Sequence, residues 1–139
     1  MPKELTLSTP DGPMRVYEAE PDGVPRGAVI VVQEAFGVNH HIEDVTRRVA
    51  DAGYLAVAPS FFHRAGGGVA DYSDFGTVIG LFEGVTDDGI LTDIDATLAH
   101  LALRGFGPQR CGIVGFCFGG RVAFLAAARR PLGAAVTFY

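Results

Sequence analysis

Three observations in the sequence predict an α/β domain built on an open, mostly parallel sheet, with an antiparallel hairpin at its start. Short, continuously apolar runs recur at residues 27–32 (GAVIVV) and 54–58 (YLAVA), as in strands buried on both faces. Amphipathic stretches at helical spacing lie between such runs. Glycine supplies 19 of 139 residues, about twice the usual ~7%, with no collagen-like period. That frequency in an apolar chain predicts tight turns beside buried strands.

The elements follow in order. Residues 4–9 (ELTLST) and 14–19 (MRVYEA) alternate apolar and polar around Pro10-Asp11-Gly12-Pro13, a hairpin signal. After a turn at residues 21–26, the run 27–32 predicts the first parallel strand. Ile42, Val45, Val49 and Ala52 then form one helical stripe, with Glu43, Asp44, Arg47 and Arg48 off it. Gly53 stops that helix, and 54–58 is the next strand. Residues 59–86 contain Pro59, Gly66-Gly67-Gly68, Phe61, Phe62, Tyr72, Phe75 and Phe82. They predict a long excursion with some short helix, the kind of segment that shapes a pocket. Asp87 or Asp88 fits an N-cap, and Ile90, Leu91, Ile94, Leu98 and Leu101 keep helical spacing to about Arg104. Strand 110–115 (RCGIVG), a sharp glycine turn and a helix over about 118–130 come next. Pro131 breaks that helix, and 134–139 (AAVTFY) predicts one more buried strand. The order is a hairpin followed by β-α-β-α-β-α-β, which makes an open sheet with helices on both faces.

Composition narrows the function. Apolar residues at 48% and charged residues at 19% describe one packed domain over residues 1–139. Eleven Lys and Arg against 16 Asp and Glu give a net charge of −5. With no run of like charge, this argues against nucleic acid or an anionic membrane as partner. No apolar run approaches a bilayer span, and residues 1–5 (MPKEL) lack the apolar region of a signal peptide. Two cysteines without an export signal point to the cytoplasm and to free thiols.

Ligands of such sheets bind at the carboxyl ends of the strands. The strongest signal there is Gly115-Phe116-Cys117-Phe118-Gly119-Gly120, between a strand and a helix. It fits the nucleophile elbow G-x-S-x-G with cysteine in the serine position. A sharp strand-to-helix turn lifts the side chain above the sheet, and Gly115, Gly119 and Gly120 let strand and helix pass closely. The thiol then sits at a helix N-terminus, where the macrodipole favours a thiolate. The bland alternative is a small buried residue in a packing turn. Cys111, inside the apolar strand with no elbow around it, reads as packing.

Gln33-Glu34-Ala35-Phe36-Gly37 follows the first parallel strand, so Glu34 faces the same rim. Glu34 is either a charged neighbour of the thiol and substrate or an ordinary solvated acid. The loop's backbone N–H groups stand where an oxyanion hole could form. Of the four histidines, His40 and His41 start the first helix, His63 lies in the loop after Pro59, and His100 is late in the long helix. A triad needs a histidine within hydrogen-bond reach of the thiol, and none of the four sits at the end of a strand beyond the elbow. His100 reads as a helix-face residue, and His63 as a loop residue at the pocket edge. No metal-ligand spacing and no phosphate loop occur, so neither metal nor cofactor is expected.

Together these residues resemble the dienelactone hydrolase family, a cysteine-nucleophile branch of the α/β-hydrolases, from about residue 14 to Tyr139. Weaker matches are Ala52-Gly53-Tyr54, and Pro59 with the aromatics and Arg64 after it. The resemblance implies an α/β-hydrolase-like three-layer sandwich. It implies that Cys117 is the nucleophile, that Glu34 contacts the resting thiol, and that the Ala35 and Phe118 amides are the oxyanion-hole donors. The implied reaction is carboxymethylenebutenolidase-like. Sulfur attacks a lactone carbonyl, the ring opens as an enolate, and the acyl-enzyme is hydrolysed to a dicarboxylate.

Two features depart from the family. Its substrate carboxylate meets arginines, yet residues 66–91 contain neither Arg nor Lys. Its triad acid and histidine follow strands that this chain lacks, so the resemblance covers the N-terminal three-fifths of such a protein. On that reading the domain is incomplete, and its partners are a small-molecule ester or lactone and the C-terminal part of the same protein. Two alternatives stand beside it. One is a catalytically silent, elbow-bearing module that binds a small molecule or a partner. The other is an intact thiol esterase using His41 or His63.

Overall fold

In the computed structural model, which describes residues 2–139, the chain opens with strands β1 (Lys3–Thr9) and β2 (Gly12–Ala19). Gly12 turns the hairpin at φ +113°. Thr9 closes it: its hydroxyl donates to the Gly12 carbonyl at 2.7 Å and accepts from the Asp11 N–H. Strand β3 (Ala28–Val32), helix α1 (His40–Asp51) and strand β4 (Leu55–Pro59) form the first parallel unit. A one-turn 3-10 helix at His63–Ala65, helix α2 (Phe75–Phe82) and helix α3 (Asp87–Leu103) follow. Strand β5 (Cys111–Phe116), helix α4 (Phe118–Arg129) and strand β6 (Ala134–Phe138) complete the order.

The six strands make one sheet in the order β1-β2-β4-β3-β5-β6. Strand β2 is antiparallel to β1 and to β4, and the rest pair in parallel. The unbroken apolar character of β3 has a direct cause. Ile30 and Val32 join the core with Ile94, Ile113 and Val122 from the α3 and α4 side. Val31 packs with Ile42 and Val45 of α1, on the opposite face. A strand that must fill two cores has no polar position to spare.

Helix α1 is capped by Asn39, whose side-chain oxygen accepts the Ile42 N–H at 3.1 Å. Its buried line is Ile42, Thr46 and Ala50, with Val45 and Val49 at the margin. This turns the helix slightly from the stripe read in the sequence. Thr46 is admitted because its hydroxyl donates to the Ile42 carbonyl at 2.7 Å. Helix α3 is capped by Thr86, which accepts the Gly89 N–H at 3.0 Å. Asp87 and Asp88 occupy the first turn instead, where their charges face the positive end of the helix dipole.

One expectation is corrected. Residues 134–138 form a strand as read, but the strand is exposed along its whole length. Strand β6 is the outer strand of the sheet, and Val136 and Phe138 are about half exposed.

On β2, Met14, Val16 and Glu18 alternate inward, which buries a carboxylate completely. Three side chains meet it: His100 Nε2 at 2.6 Å, Arg104 at 2.6 Å and Lys3 at 3.1 Å. Burial alone would raise the Glu18 pKa. The hydrogen bonds from His100, Lys3 and Arg104 outweigh it and hold the group below its ordinary value. Among the described residues, no helix is long and apolar enough to cross a membrane.

Candidate active site

Strand β5 delivers Cys117 to the carboxyl-terminal rim of the sheet. Cys117 adopts φ 58° and ψ −115°, a left-handed conformation that costs a non-glycine residue about 1–3 kcal/mol. The backbone around it holds that geometry. Its N–H donates to the Phe138 carbonyl at 3.1 Å, and its carbonyl accepts the Gly120 N–H at 2.9 Å. The side chain is exposed and does not cap its own helix.

The three elbow glycines are explained by close approach. A Cβ on Gly115 would overlap the Gly119 carbonyl. One on Gly119 would lie 2.5 Å from the Val32 oxygen and 2.6 Å from the Gln33 oxygen, and one on Gly120 2.7 Å from the Phe138 oxygen. Thus Gly119 presses the start of α4 onto the end of β3. This contact brings the Cys117–Phe118 corner beside the loop that carries Glu34 and Ala35.

That loop is fixed from three sides. Gln33 is fully buried; its side-chain oxygen accepts the Phe61 N–H at 3.1 Å and its NH2 donates to the Glu34 carbonyl at 3.3 Å. Gly37, at φ +86°, passes under the Gly68 carbonyl, where a Cβ would approach to 2.6 Å. The Ala70 N–H donates to the Phe36 carbonyl at 3.0 Å. The 60–86 excursion therefore covers the loop, and two of its aromatics also reach the elbow. Phe62 stacks on Phe118 with ring centroids 5.7 Å apart, and Phe82 meets the same ring edge-on at 5.0 Å.

Among the described residues, the Ala35 and Phe118 N–H groups donate to no other group, and the Glu34 carboxylate is half-buried without an ion pair. No hydrogen bond joins Glu34 to the Cys117 sulfur. The rim thus carries a thiol, a carboxylate and two open N–H donors. Such a set can attack an acyl carbon and stabilise the resulting oxyanion.

Three of the four histidines are engaged elsewhere. His63, read as a loop residue at the pocket edge, is buried: its Nε2 meets Asp93 at 2.9 Å, and its Nδ1 has no partner. Arg64 grips the same carboxylate with two hydrogen bonds, at 2.9 and 3.0 Å, and reaches Asp11 at 2.8 Å. His100, read as a helix-face residue, pairs with Glu18, and His40 lies 3.5 Å from Glu43. His41 is exposed on the first turn of α1. A cavity of about 340 Å³, lined in part by Ser60, His63, Asp11 and Arg15, opens on the hairpin side of the same rim.

Sequence reasoning passed over Gln33, Asp93 and Glu18 as structural anchors. The strand alternation that places Met14 and Val16 inward also places Glu18 there. The helical spacing of Ile90, Ile94 and Leu101 likewise encloses Asp93 and Thr97, both buried. Gln33 gave no comparable signal beyond directly following a buried strand.

The chain matches the family model described as "Dienelactone hydrolase family" over residues 14–139. A Yersinia pestis protein provisionally named carboxymethylenebutenolidase is 44% identical over 141 residues, covering 98% of this chain and 52% of that protein. A Pseudomonas putida protein named carboxymethylenebutenolidase is 28% identical over 123 residues, covering 86% of this chain and 52% of that one. Among solved structures, one from Klebsiella pneumoniae provisionally described as a dienelactone hydrolase superposes with a TM-score of 0.86 at 39% identity. It is covered over 97% of this chain and 57% of its own. The chain spans about half the length of the curated relatives it matches.

Proposed function

We propose that this chain, which belongs to the dienelactone hydrolase family, opens carboxylic ester or lactone bonds by attack of the Cys117 sulfur on the acyl carbon. One observation carries the reading. Cys117 is an exposed thiol held in left-handed backbone at a strand-to-helix corner, beside a loop with an open N–H.

The thiolate forms the S–C bond, and the carbonyl oxygen takes up the negative charge facing the Ala35 and Phe118 amides. Collapse breaks the acyl C–O bond. From a dienelactone the leaving oxygen departs as an enolate, which takes a proton on opening. Water then cleaves the thioester, releasing the second carboxylate and restoring the thiolate. Glu34 serves as the charged neighbour of the thiol in this scheme. By the resemblance, proton removal from the thiol and the water belongs to a histidine held by an aspartate. The two free cysteines support a cytoplasmic setting.

A second reading has its own observation. His63, His100 and His40 are each paired with a carboxylate, and no described histidine hydrogen-bonds the Cys117 sulfur. That arrangement favours an elbow-bearing module that binds a small molecule or a partner without turnover.

Hydrolysis of p-nitrophenyl acetate and of a dienelactone by the purified protein, beside its Cys117→Ala variant, separates the readings. Multiple turnover that falls by about 10⁴-fold or more in Cys117→Ala supports the hydrolase. Ligand binding with no acyl transfer to Cys117 supports the binding module. Turnover that survives Cys117→Ala would remove the thiol from the mechanism.

A further inference from the structure

Among the described residues, Gln33 is the only fully buried side-chain amide of the rim, and both ends of that amide are bonded. Its orientation is fixed by chemistry. The Phe61 N–H can only face an oxygen, and the Glu34 carbonyl can only face the NH2 group. The Glu34 carbonyl belongs to the same planar peptide as the Ala35 N–H. In a trans peptide the C=O and N–H bonds point in opposite directions, so gripping the oxygen also aims the N–H. A carbonyl that accepts a hydrogen bond further polarises the N–H of its own amide, which strengthens it as a donor.

We infer that Gln33 is the positioning residue of the oxyanion hole: it clamps the Glu34–Ala35 peptide so that the Ala35 N–H is presented to the acyl oxygen. The inference rests on the proposed role of the Ala35 amide. The clamp is anchored on a rigid part of the rim. Phe61, which donates to the Gln33 oxygen, is 2% exposed. The adjacent Phe62 is fully buried and stacks on Phe118, the residue that bears the second proposed donor. Gly119 meanwhile packs against the Gln33 backbone carbonyl. One buried unit thus sets both N–H groups, and Gln33 does so without touching the substrate.

The role makes a distinction that a merely structural one would not. Acylation of Cys117 by p-nitrophenyl acetate passes through an oxyanion, whereas alkylation by iodoacetamide displaces iodide at a saturated carbon and forms none. The experiment compares the two rate constants in the purified protein, following p-nitrophenolate release and Cys117 adducts by mass spectrometry. Gln33→Met, which removes both hydrogen bonds at similar volume, is expected to slow acylation by about 10–100-fold, somewhat less than outright loss of an oxyanion donor. Alkylation is expected to change by less than about twofold, because the thiol itself is untouched. Gln33→Leu likewise removes both hydrogen bonds and fills the site with a branched apolar side chain. It is expected to give the same selective loss, and it serves if the Met variant does not fold. An unchanged ratio of acylation to alkylation in a folded variant would overturn the inference while leaving Cys117 as the nucleophile. Wild-type acylation no faster than that of a free thiol would instead overturn the oxyanion-hole reading, and the clamp with it.

Discussion

At the start of β5, Cys111 is 1% exposed, its thiol points at the Gly107 carbonyl 3.4 Å away, and burial pushes its pKa up. At the end of the same strand, Cys117 is exposed, in left-handed backbone, with no hydrogen bond from its sulfur to another described residue. The carboxylates divide in the same way. Glu18, fully buried on β2, is met by Lys3, His100 and Arg104. Glu34, on the carboxyl-terminal rim, is half-buried and unpaired among the described residues. The interior pairs nearly every polar group it encloses, His63 Nδ1 being the exception among the described residues, because leaving one bare there costs about 1–3 kcal/mol. The rim leaves its groups open and accepts backbone strain to do so. On the proposed function, reactivity is therefore a matter of place along a strand rather than of residue type.

The sharpest way to break the comparison is at the two glycines of β5. Gly115→Ala would drive a Cβ into the Gly119 carbonyl, whereas Gly112→Ala would meet the Ala134 oxygen at an ordinary 3.6 Å. Denaturant unfolding is expected to show a loss of about 3 kcal/mol or more for Gly115→Ala and a change under about 1 kcal/mol for Gly112→Ala. Equal losses would mean that the elbow is not the tight point of the strand.

The next effect concerns the paired interior. The folded-state pKa of Glu18 lies below its ordinary value of 4.5. Its contribution to stability is therefore present above that value and is lost as pH falls through the folded pKa. Glu18→Gln breaks a buried pair and is expected to cost about 3 kcal/mol at neutral pH. The gap from wild type should narrow below pH 4.5 in unfolding curves taken across the acid range. A gap that stays constant with pH would show that the carboxylate charge is not what holds β2 to α3.

The smallest effect tests the strain itself. Cys117→Gly relieves the left-handed backbone and is expected to stabilise the fold by about 1 kcal/mol while abolishing acyl transfer. Cys111→Ala, which relieves no strain and empties buried space, is expected to cost about 1 kcal/mol. A Cys117→Gly protein less stable than wild type would show that the corner carries no strain.

The sheet was readable because its signals are local. Two-sided strands are continuously apolar, turns are marked by glycine, and the elbow motif lies within six consecutive residues. What escaped the reading depends on partners far along the chain. Glu18 is held by His100, 82 residues away, and Gln33 by Phe61, 28 residues away. The exposure of β6 could not be read from its composition either, since burial of a strand is decided by what packs on it. The cap of α3 fell to Thr86 rather than to the two aspartates because a cap needs extended backbone, which Thr86 has at φ −131° and ψ 159°.

Acyl trapping tests the central claim most directly. The purified protein is mixed with p-nitrophenyl acetate, quenched in acid within the first turnover, and its peptides are mapped by mass spectrometry. The acetyl group is expected on the peptide containing Cys117 and absent from the one containing Cys111. Acetyl on Cys111, or nitrophenolate release with neither cysteine modified, would contradict the assignment of Cys117 as the nucleophile.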